Sequence, residues 1–302
     1  QAVSFQRNKM PKKQLLEIFS YTSYLFVLAI VGQIYWQIDK LVLGMMLGTI
    51  AVAIYSAALN IENILRNVSS SIKDVLIPKA TQIDESSIFT TTLTTDFMVK
   101  SGRIIFIIYG LMLVGITVLG NKFIYLWLGE DYVSAVPLLW ILGYSALVPT
   151  ILLPGEELCK TFNKHRTLTI IYLCVSLLNI VLTVIMVKTM GIYGAAYSTA
   201  LGLVVGNVIL TLGYYKKVLN IKIARLFFEV FRRILINLMF VGIIAYLIDT
   251  YMLTSYSWLT LIAEILIISA IFLISMHLWG FDSYEKQIQA RIINSIINKI
   301  RK

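Results

Sequence analysis

Long apolar segments, each about as long as a bilayer is thick, most constrain the fold of this chain. Eight segments carry few charges: 17–38, 50–77, 101–120, 133–158, 166–188, 192–213, 232–250 and 257–280. A helix needs about 20 mostly apolar residues to cross the hydrocarbon core. Strands of a membrane barrel would alternate polar and apolar residues with a period of two, and these segments do not. The sequence therefore predicts an all-α, polytopic membrane helix bundle with about eight transmembrane helices.

The composition supports a membrane protein and limits the classes of function. Of the 302 residues, 58% are hydrophobic and 14% are charged, whereas soluble domains average about 45–50% and about 25%. Basic loops on one side of a membrane explain the net charge of +10, so nucleic acid is not an expected partner. Cys159 and Cys174 show neither metal-binding nor disulfide spacing. Because no HExxH, GxSxG or Walker lysine motif occurs, we do not expect an enzyme.

The distribution of Lys and Arg residues predicts the orientation in the membrane. If the N-terminus is cytoplasmic, 23 of the 26 Lys and Arg residues fall on that side or at helix ends facing it. Only Lys40, Lys122 and Lys188 remain on the other side. Cytoplasmic loops carry such an excess of basic residues. The sequence therefore predicts an even number of spans with both termini in the cytoplasm.

The second predicted span is unusually polar for a membrane helix. A helical wheel places one polar stripe at Asn60, Asn63, Asn67, Ser70 and Asp74. A second polar stripe lies beside it and contains Glu62, Arg66, Ser69 and Lys73. The opposite side is apolar and includes Ile61 and Leu65. A charge at mid-membrane costs about 2.5–3.5 kcal/mol, so this helix cannot face lipid all round.

Two interpretations of this polar helix are open. Glu62 and Arg66 are spaced i, i+4 with the acid first, which is the favourable order for an ion pair. The pair could therefore neutralise itself inside a packed bundle. The alternative is that the polar half lines a water-filled cavity for a polar substrate. We favour the cavity because the polarity continues over several turns.

Weaker signals lie outside the polar helix. Asp39 closes the first span, and Lys160 lies at the predicted inner end of the fourth. Glu264 is a lone acid near an outer end, and we assign it no role. Hinge candidates in the fourth span are Pro137, Pro149 and Pro154, because proline interrupts the hydrogen bonding of a helix.

Four parts of the chain carry a family resemblance. The run 38–61 has Asp39, Gly44, Gly48, Tyr55 and Ala58 at matching positions. Further matches are Pro78, 123-FIYLWLGEDYVSAVPLLWIL-142 and 191-GIYGAAYSTALG-202. Together they cover about residues 17–213 and resemble bacterial polysaccharide flippases of the Wzx type. These O-antigen or capsule repeat-unit flippases belong to the MOP superfamily, which also holds the MATE exporters.

The resemblance implies an architecture. The chain would be the C-terminal part of a fourteen-helix transporter, helices seven to fourteen, and is interpreted as a fragment. The implied domains are a cytoplasmic amphipathic linker at 1–16, a six-helix lobe at 17–213, a basic cytoplasmic connection at 214–231, two additional transmembrane helices at 232–280, and a basic cytoplasmic tail at 281–302.

The resemblance also implies a function. Such flippases move undecaprenyl-pyrophosphate-linked oligosaccharide repeat units across the bacterial cytoplasmic membrane for O-antigen, capsule or exopolysaccharide synthesis, by alternating access. Expected partners are the lipid-linked glycan, the bilayer, a glycan polymerase and the chain-length machinery. No cofactor is expected apart from H⁺ or Na⁺ as a coupling ion.

Candidate residues of the substrate cavity follow from the same resemblance. Arg66, Lys73 and Lys160 would bind the pyrophosphate. The sugar hydroxyls would meet Asn60, Asn63, Asn67 and Ser70. Glu62 would orient Arg66 or bind the coupling ion, and Asp39 is included in the cavity.

Three rival functions stay open. A MATE-type cation or drug antiporter would share the fold, but Arg66 and Lys73 in a cavity disfavour cationic substrates. A membrane-embedded glycan-processing enzyme would need a catalytic loop, and the longest connection, 79–100, shows no catalytic pattern. A purely structural membrane subunit is opposed only by the polar stripe.

Overall fold

The computed structural model describes residues 12–80 and 91–300, and every regular element in these ranges is helical. This part of the chain forms a 3₁₀ turn (Glu130–Tyr132) and nine longer helices: α1 (Lys12–Leu47), α2 (Thr49–Ala80), α3 (Thr91–Leu128), α4 (Ala135–Thr161), α5 (His165–Met190), α6 (Ile192–Val218), α7 (Ile223–Tyr251), α8 (Trp258–Gly280) and α9 (Ser283–Ile300). The predicted all-α fold class is confirmed. Most of the predicted linker at 1–16 lies outside the described residues.

Six of the described helices, α3 to α8, are long and apolar enough to cross a membrane. They coincide with the third to eighth predicted spans. The first two predicted spans coincide with α1 and α2, which have 36 and 32 residues but are not among these six. Six of the eight spans are thus supported by length and composition, and the first two stay predictions.

Several helices extend beyond the predicted spans. The predicted connection at 214–231 is mostly helical, because α6 continues to Val218 and α7 begins at Ile223. The predicted tail at 281–302 contains α9. Apolar runs mark where a helix crosses the hydrocarbon core, whereas the backbone hydrogen bonds of a helix continue into the polar interface. The helices are therefore longer than the spans predicted from hydropathy.

Glycines make the tight turns between neighbouring helices. Gly191 joins α5 to α6 with a φ of 60°, and Gly48 joins α1 to α2 with a φ of 85°. Residues with a Cβ rarely adopt this left-handed region. At Gly194 the constraint is space, since a Cβ there would lie 2.1 Å from the Met186 carbonyl oxygen. The turn predicted from Gly191 and Gly194 is present, and it lets α5 and α6 pack closely.

Two hydrophobic cores organise the helices. One joins α1 to α6 and includes the fully buried Leu43, Tyr55 and Tyr109. The other joins α3, α4 and α6 to α7 and α8, around Phe106 and Phe272. Helices α3, α4 and α6 contribute to both cores, and α7 and α8 pack on the first six helices mainly through α3. The polar helix α2 packs on α4, α3 and α1, and residues such as Asn60 and Asn67 on its remaining side are exposed.

Candidate functional site

The charged pair of α2 lies at the border between the buried and uncovered sides of the helix. The Glu62 carboxylate is fully buried, whereas the Arg66 side chain is 25% exposed. Arg66 Nε lies 3.5 Å from Glu62 Oε1, and Arg66 Nη2 donates a hydrogen bond to Asn63 Oδ1. One turn of helix therefore brings these three side chains together and directs the guanidinium toward the uncovered side.

Three further residues of the predicted polar stripe, Asn60, Asn67 and Ser70, follow the same face, and the Asp74 side chain lies outside those that the structure describes. Asn60 and Asn67 are exposed, and Ser70 is half-buried. Ser70 Oγ donates to the Asn67 carbonyl oxygen at 3.1 Å. The apolar Ile61 and Leu65 are buried on the other side. The uncovered face of α2 thus offers amides, a hydroxyl and one guanidinium, which are suitable groups for binding sugar hydroxyls and an anion.

Lys73 and Lys160 are the two other predicted cationic ligands. The Lys73 side chain lies outside those that the structure describes. Lys160 is at the C-terminal end of α4, where Nζ lies 2.8 Å from Glu156 Oε1 and 3.0 Å from Glu157 Oε1. Because two carboxylates already neutralise Lys160, an anion would have to displace them.

Asp39 lies in a buried polar cluster away from the uncovered face of α2. Its carboxylate is 1% exposed and accepts hydrogen bonds from Tyr55 Oη at 2.7 Å, Thr183 Oγ1 at 3.0 Å and Thr199 Oγ1 at 2.5 Å. Ser198 Oγ lies 2.7 Å from Thr183 Oγ1. The cluster joins α1, α2, α5 and α6. The sequence interpretation placed Asp39 in the cavity and missed its three hydroxyl partners, one each on α2, α5 and α6.

The Asp39 cluster offers oxygen ligands of the kind that monovalent cations accept. It has one carboxylate and several hydroxyl oxygens within hydrogen-bonding distance of one another. The described residues contain no group of three or more His, Cys, Asp or Glu side chains that could hold a metal ion. A cation at Asp39 would therefore depend on one negative charge and neutral oxygens.

The three hinge candidates occupy different places in α4. Pro137 lies in the first turn, where a missing N–H costs no helical hydrogen bond. Pro149 and Pro154 lie in the interior, and the helix continues through both. Each of these two removes one backbone hydrogen bond, so this half of α4 has the weaker backbone support. Hinge motion there stays a prediction.

An apolar groove lies on the other side of α2 from the amides. Its volume is about 530 Å³, and it lies between α2, α3 and α8. Its walls include Ile61, Ile64 and Leu65 of α2, and Gly115 and Gly120 of α3. The lining residues that the structure describes include one polar side chain, Ser269. The groove can hold an alkyl chain but offers little to a polar ligand.

Two buried charge clusters were missed by sequence reasoning. Lys122 Nζ lies 2.7 Å from both Glu264 Oε1 and Asp249 Oδ1, so Glu264 is not alone. Arg103 forms two hydrogen bonds with the Glu285 carboxylate, at 2.7 and 2.8 Å. The available signal was that opposite charges occur near the ends of predicted spans that face the same side of the membrane. Both clusters attach α3 to the helices that follow α6.

A protein family and two curated proteins resemble this chain in sequence. The family described as polysaccharide biosynthesis protein matches residues 1–84. The uncharacterized membrane protein EpsK of Bacillus subtilis is 24% identical over 72% of this chain and 43% of its own length. The probable low-salt glycan biosynthesis flippase Agl15 of Haloferax volcanii is 23% identical over 73% of this chain and 46% of its own length.

A solved structure shares the fold. The lipid II flippase MurJ, in an inward closed conformation, matches with a TM-score of 0.69 and 16% identity, over 91% of this chain and 57% of its own length. The predicted resemblance to Wzx-type polysaccharide flippases of the MOP superfamily is confirmed. The chain spans about half the length of the relatives it matches. It is a multi-pass membrane protein, as its apolar helices and these relatives indicate.

Proposed function

We propose that this chain is the C-terminal part of a flippase for undecaprenyl-pyrophosphate-linked oligosaccharide repeat units. The flippase would lie in the bacterial cytoplasmic membrane with both termini inside, and it would supply surface polysaccharide synthesis. The observation that carries the proposal is the two-sided character of α2. One side presents Asn60, Arg66 and Asn67, and the other side borders the apolar groove through Ile61 and Ile64.

A two-sided helix suits an amphiphilic substrate. The glycan hydroxyls would bind to the amides of Asn60, Asn63 and Asn67 and to Ser70. The pyrophosphate would bind to Arg66, whose planar guanidinium matches phosphate oxygens. Glu62 would hold Arg66 in position from its buried side at 3.5 Å. The groove between α2, α3 and α8 would hold part of the polyprenyl chain while the head group crosses.

A coupling ion would act on the two buried carboxylates of this region. Glu62 is fully buried, and its oxygens accept no hydrogen bond from the described residues. Asp39 is buried among hydroxyl groups that can turn their lone pairs toward a cation. We assign Na⁺ to the Asp39 cluster, because several neutral oxygens surround one charge there. We assign Glu62 as the candidate binding site for H⁺.

Transport would proceed by alternating access. In this scheme 17–213 is one rocking lobe, 232–280 adds two helices to it, and the first lobe comes from the part of the relatives that this chain does not cover. A glycan polymerase and the chain-length machinery would take the product at the outer leaflet.

The experiment that tests the function is complementation with the full-length parent protein. A strain that lacks the transporter is supplied with wild type, Arg66→Ala, Arg66→Lys or Asn67→Ala, and surface glycan is measured at matched protein levels. We expect Arg66→Ala to reduce export at least tenfold and Arg66→Lys to retain part of it, because a charge remains without the planar fork. Normal export by Arg66→Ala would remove Arg66 from the proposal.

The rival antiporter is separated by a second measurement. Cells that express the parent protein are loaded with ethidium, and its efflux is followed. A cation exporter would lower the dye level, whereas the flippase leaves it unchanged, because a cavity that contains Arg66 repels cations. Rapid efflux without glycan export would favour the MATE-type function.

A further inference from the structure

The C-terminal helix α9 begins at a sharp turn that its own residues define. Phe281 is extended, with a ψ of 136°, and ends α8. Asp282 Oδ1 then accepts hydrogen bonds from the backbone N–H groups of Tyr284 and Glu285, both at 3.0 Å. Glu285 Oε2 accepts in return from the Asp282 N–H at 2.9 Å. This reciprocal pair is a capping box, so α9 starts as a new helix with its own direction.

A buried ion pair fixes the first turn of α9 to the N-terminal third of α3. The Arg103 guanidinium donates to both oxygens of Glu285 and also to the carbonyl oxygens of Glu229 and Gly280, at 2.8 and 2.9 Å. Arg103 and Glu285 are each about 5% exposed. Since the donor groups of Arg103 are directed at four acceptors on three elements, the start of α9 is held in one position.

A second group of contacts holds the following turn of α9. Gln289 Oε1 lies 2.8 Å from His277 Nδ1 of α8. Lys100 Nζ lies 5.4 Å from the centre of the Tyr284 ring, within the range of a cation–π contact. The beginning of α9 is thus fastened to α3 and α8 at the same end of the bundle.

The sequence of α9 combines an apolar stripe with basic residues, of which Arg291 lies off the stripe and Lys299 lies within it. An apolar stripe repeats at Tyr284, Ile288, Ile292, Ile296 and Ile300, beside Ile293 and Ile297. Residues 283–302 contain five basic residues: Lys286, Arg291, Lys299, Arg301 and Lys302. The one acidic residue in this stretch, Glu285, is neutralised by Arg103. The helix itself contains three of these basic residues, Lys286, Arg291 and Lys299, and the other two follow it in the sequence.

Neighbouring helices add exposed cations at the same end of the bundle. Lys100 of α3 and Lys286 of α9 are exposed, as are Arg232 and Arg233 of α7. Arg103 contacts the carbonyl of Glu229, one turn before these arginines. The exposed cations of three helices thus surround the place where α8 turns into α9.

We propose that α9 lies along the inner surface of the membrane, with its isoleucine face among the acyl chains and its cations on anionic phospholipid head groups. The proposal rests on the cytoplasmic position of the C-terminus in the proposed function. Charge complementarity favours a lipid surface over a protein, because the inner leaflet is anionic and the cations form a band across three helices. The Arg103–Glu285 pair acts as the fixed point from which α9 extends.

Spin labels on the full-length protein test this proposal. Cys159 and Cys174 are replaced by Ala, and single cysteines are introduced as Ile292→Cys, Ile296→Cys or Asn294→Cys. The labelled protein is reconstituted in phosphatidylcholine vesicles with or without 30% phosphatidylglycerol, and label depth is measured from collisions with oxygen and with a water-soluble nickel complex. We expect the labels at positions 292 and 296 to lie at the depth of the acyl chains and the label at position 294 to be accessible to water. Without phosphatidylglycerol, the labels at positions 292 and 296 should lie closer to the membrane surface.

Substitution of the basic residues of α9 gives a second test of the proposal, and substitution of basic residues of α6 gives its matched control. Lys286→Gln, Arg291→Gln and Lys299→Gln together should weaken the insertion of α9 roughly fivefold for each cation removed. Lys216→Gln with Lys217→Gln, which removes exposed cations from α6, should leave it unchanged. Insertion that is indifferent to phosphatidylglycerol and to the triple substitution overturns the proposal. Ile positions that are shielded from both collision agents would show that α9 packs against protein, its own bundle or a second copy, and would overturn the proposal equally. Because depth is measured without transport, failure here is distinct from failure of the proposed flippase.

Discussion

Arg103 and Lys122 lie on the same helix, and each forms a buried ion pair with the helices that follow α6. They are 19 residues apart in α3, which corresponds to about 28 Å along a helix axis. The hydrocarbon core of a bilayer is about 30 Å thick. The two pairs therefore fasten α7, α8 and α9 to α3 at opposite ends of one membrane crossing, where charged side chains can be accommodated.

The outer pair makes a testable contribution to stability. Lys122→Met leaves the fully buried Glu264 carboxylate without its cation, and loss of one partner of a buried pair costs about 3–5 kcal/mol. We expect a clearly lower melting temperature of the purified full-length protein, measured by fluorescence-detected gel filtration after heating. The double variant Lys122→Met/Glu264→Leu should recover most of the loss, because no uncompensated charge stays buried.

The matched control for the outer pair is Lys188→Met, which removes an exposed lysine that the sequence assigns to the same side. It should melt within about a degree of wild type, since exposed charges contribute little to stability. If Lys122→Met melts like this control, the pair does not hold α8 on α3.

The turn between α5 and α6 gives a steric prediction. Gly194→Ala would put a Cβ 2.1 Å from the Met186 carbonyl oxygen, so the two helices must separate. We expect low yield or aggregation of this variant. Gly213→Ala in the same helix meets nothing within 4 Å and should be neutral or slightly stabilising, because alanine favours helix over glycine. Equal yields of the two variants would contradict the close packing of α5 on α6.

Local signals in the sequence predicted the local features of the fold. Apolar length located α3 to α8, and the i, i+4 spacing predicted the contact of Glu62 with Arg66. The glycine pair predicted the turn at Gly191. Each of these depends on residues within a few turns of one another, for which helix geometry is known in advance.

Contacts between distant helices could not be predicted in the same way. Lys122 and Glu264 are 142 positions apart, and Asp39 is 160 positions from Thr199. Their meeting depends on which helices pack together and how they are rotated, and a single sequence leaves both undetermined. Glu264 therefore looked unpaired, and Asp39 was assigned to the cavity without its hydroxyl partners.

The Asp39 cluster predicts a sodium effect on stability. An ion that binds only the folded state raises the melting temperature as its concentration rises. We expect NaCl to stabilise the purified protein relative to the same concentration of choline chloride. Asp39→Asn, which keeps the size and removes the charge, should abolish the difference. Glu62→Gln should retain it, because Glu62 lies outside the cluster. A sodium effect that survives in Asp39→Asn would assign the ion to another site.

The uncovered face of α2 gives the prediction that decides between a cavity and a structural ion pair. Single cysteines are introduced in the full-length protein without Cys159 and Cys174, at Asn60, Asn67, Ile61 and Ile64. A membrane-impermeant maleimide labels only thiols that reach water. We expect rapid labelling at Asn60 and Asn67 and none at Ile61, which is 5% exposed. Ile64 is the informative control, because it is 57% exposed but borders the apolar groove.

Slow labelling at Ile64 together with rapid labelling at Asn67 would show that exposure on the two sides of α2 differs in kind, water on one side and hydrocarbon on the other. That difference is what an amphiphilic substrate requires. If neither Asn60 nor Asn67 reacts, the polar face is packed against protein. Arg66 and Glu62 then act as a structural pair, and the family resemblance alone would support transport.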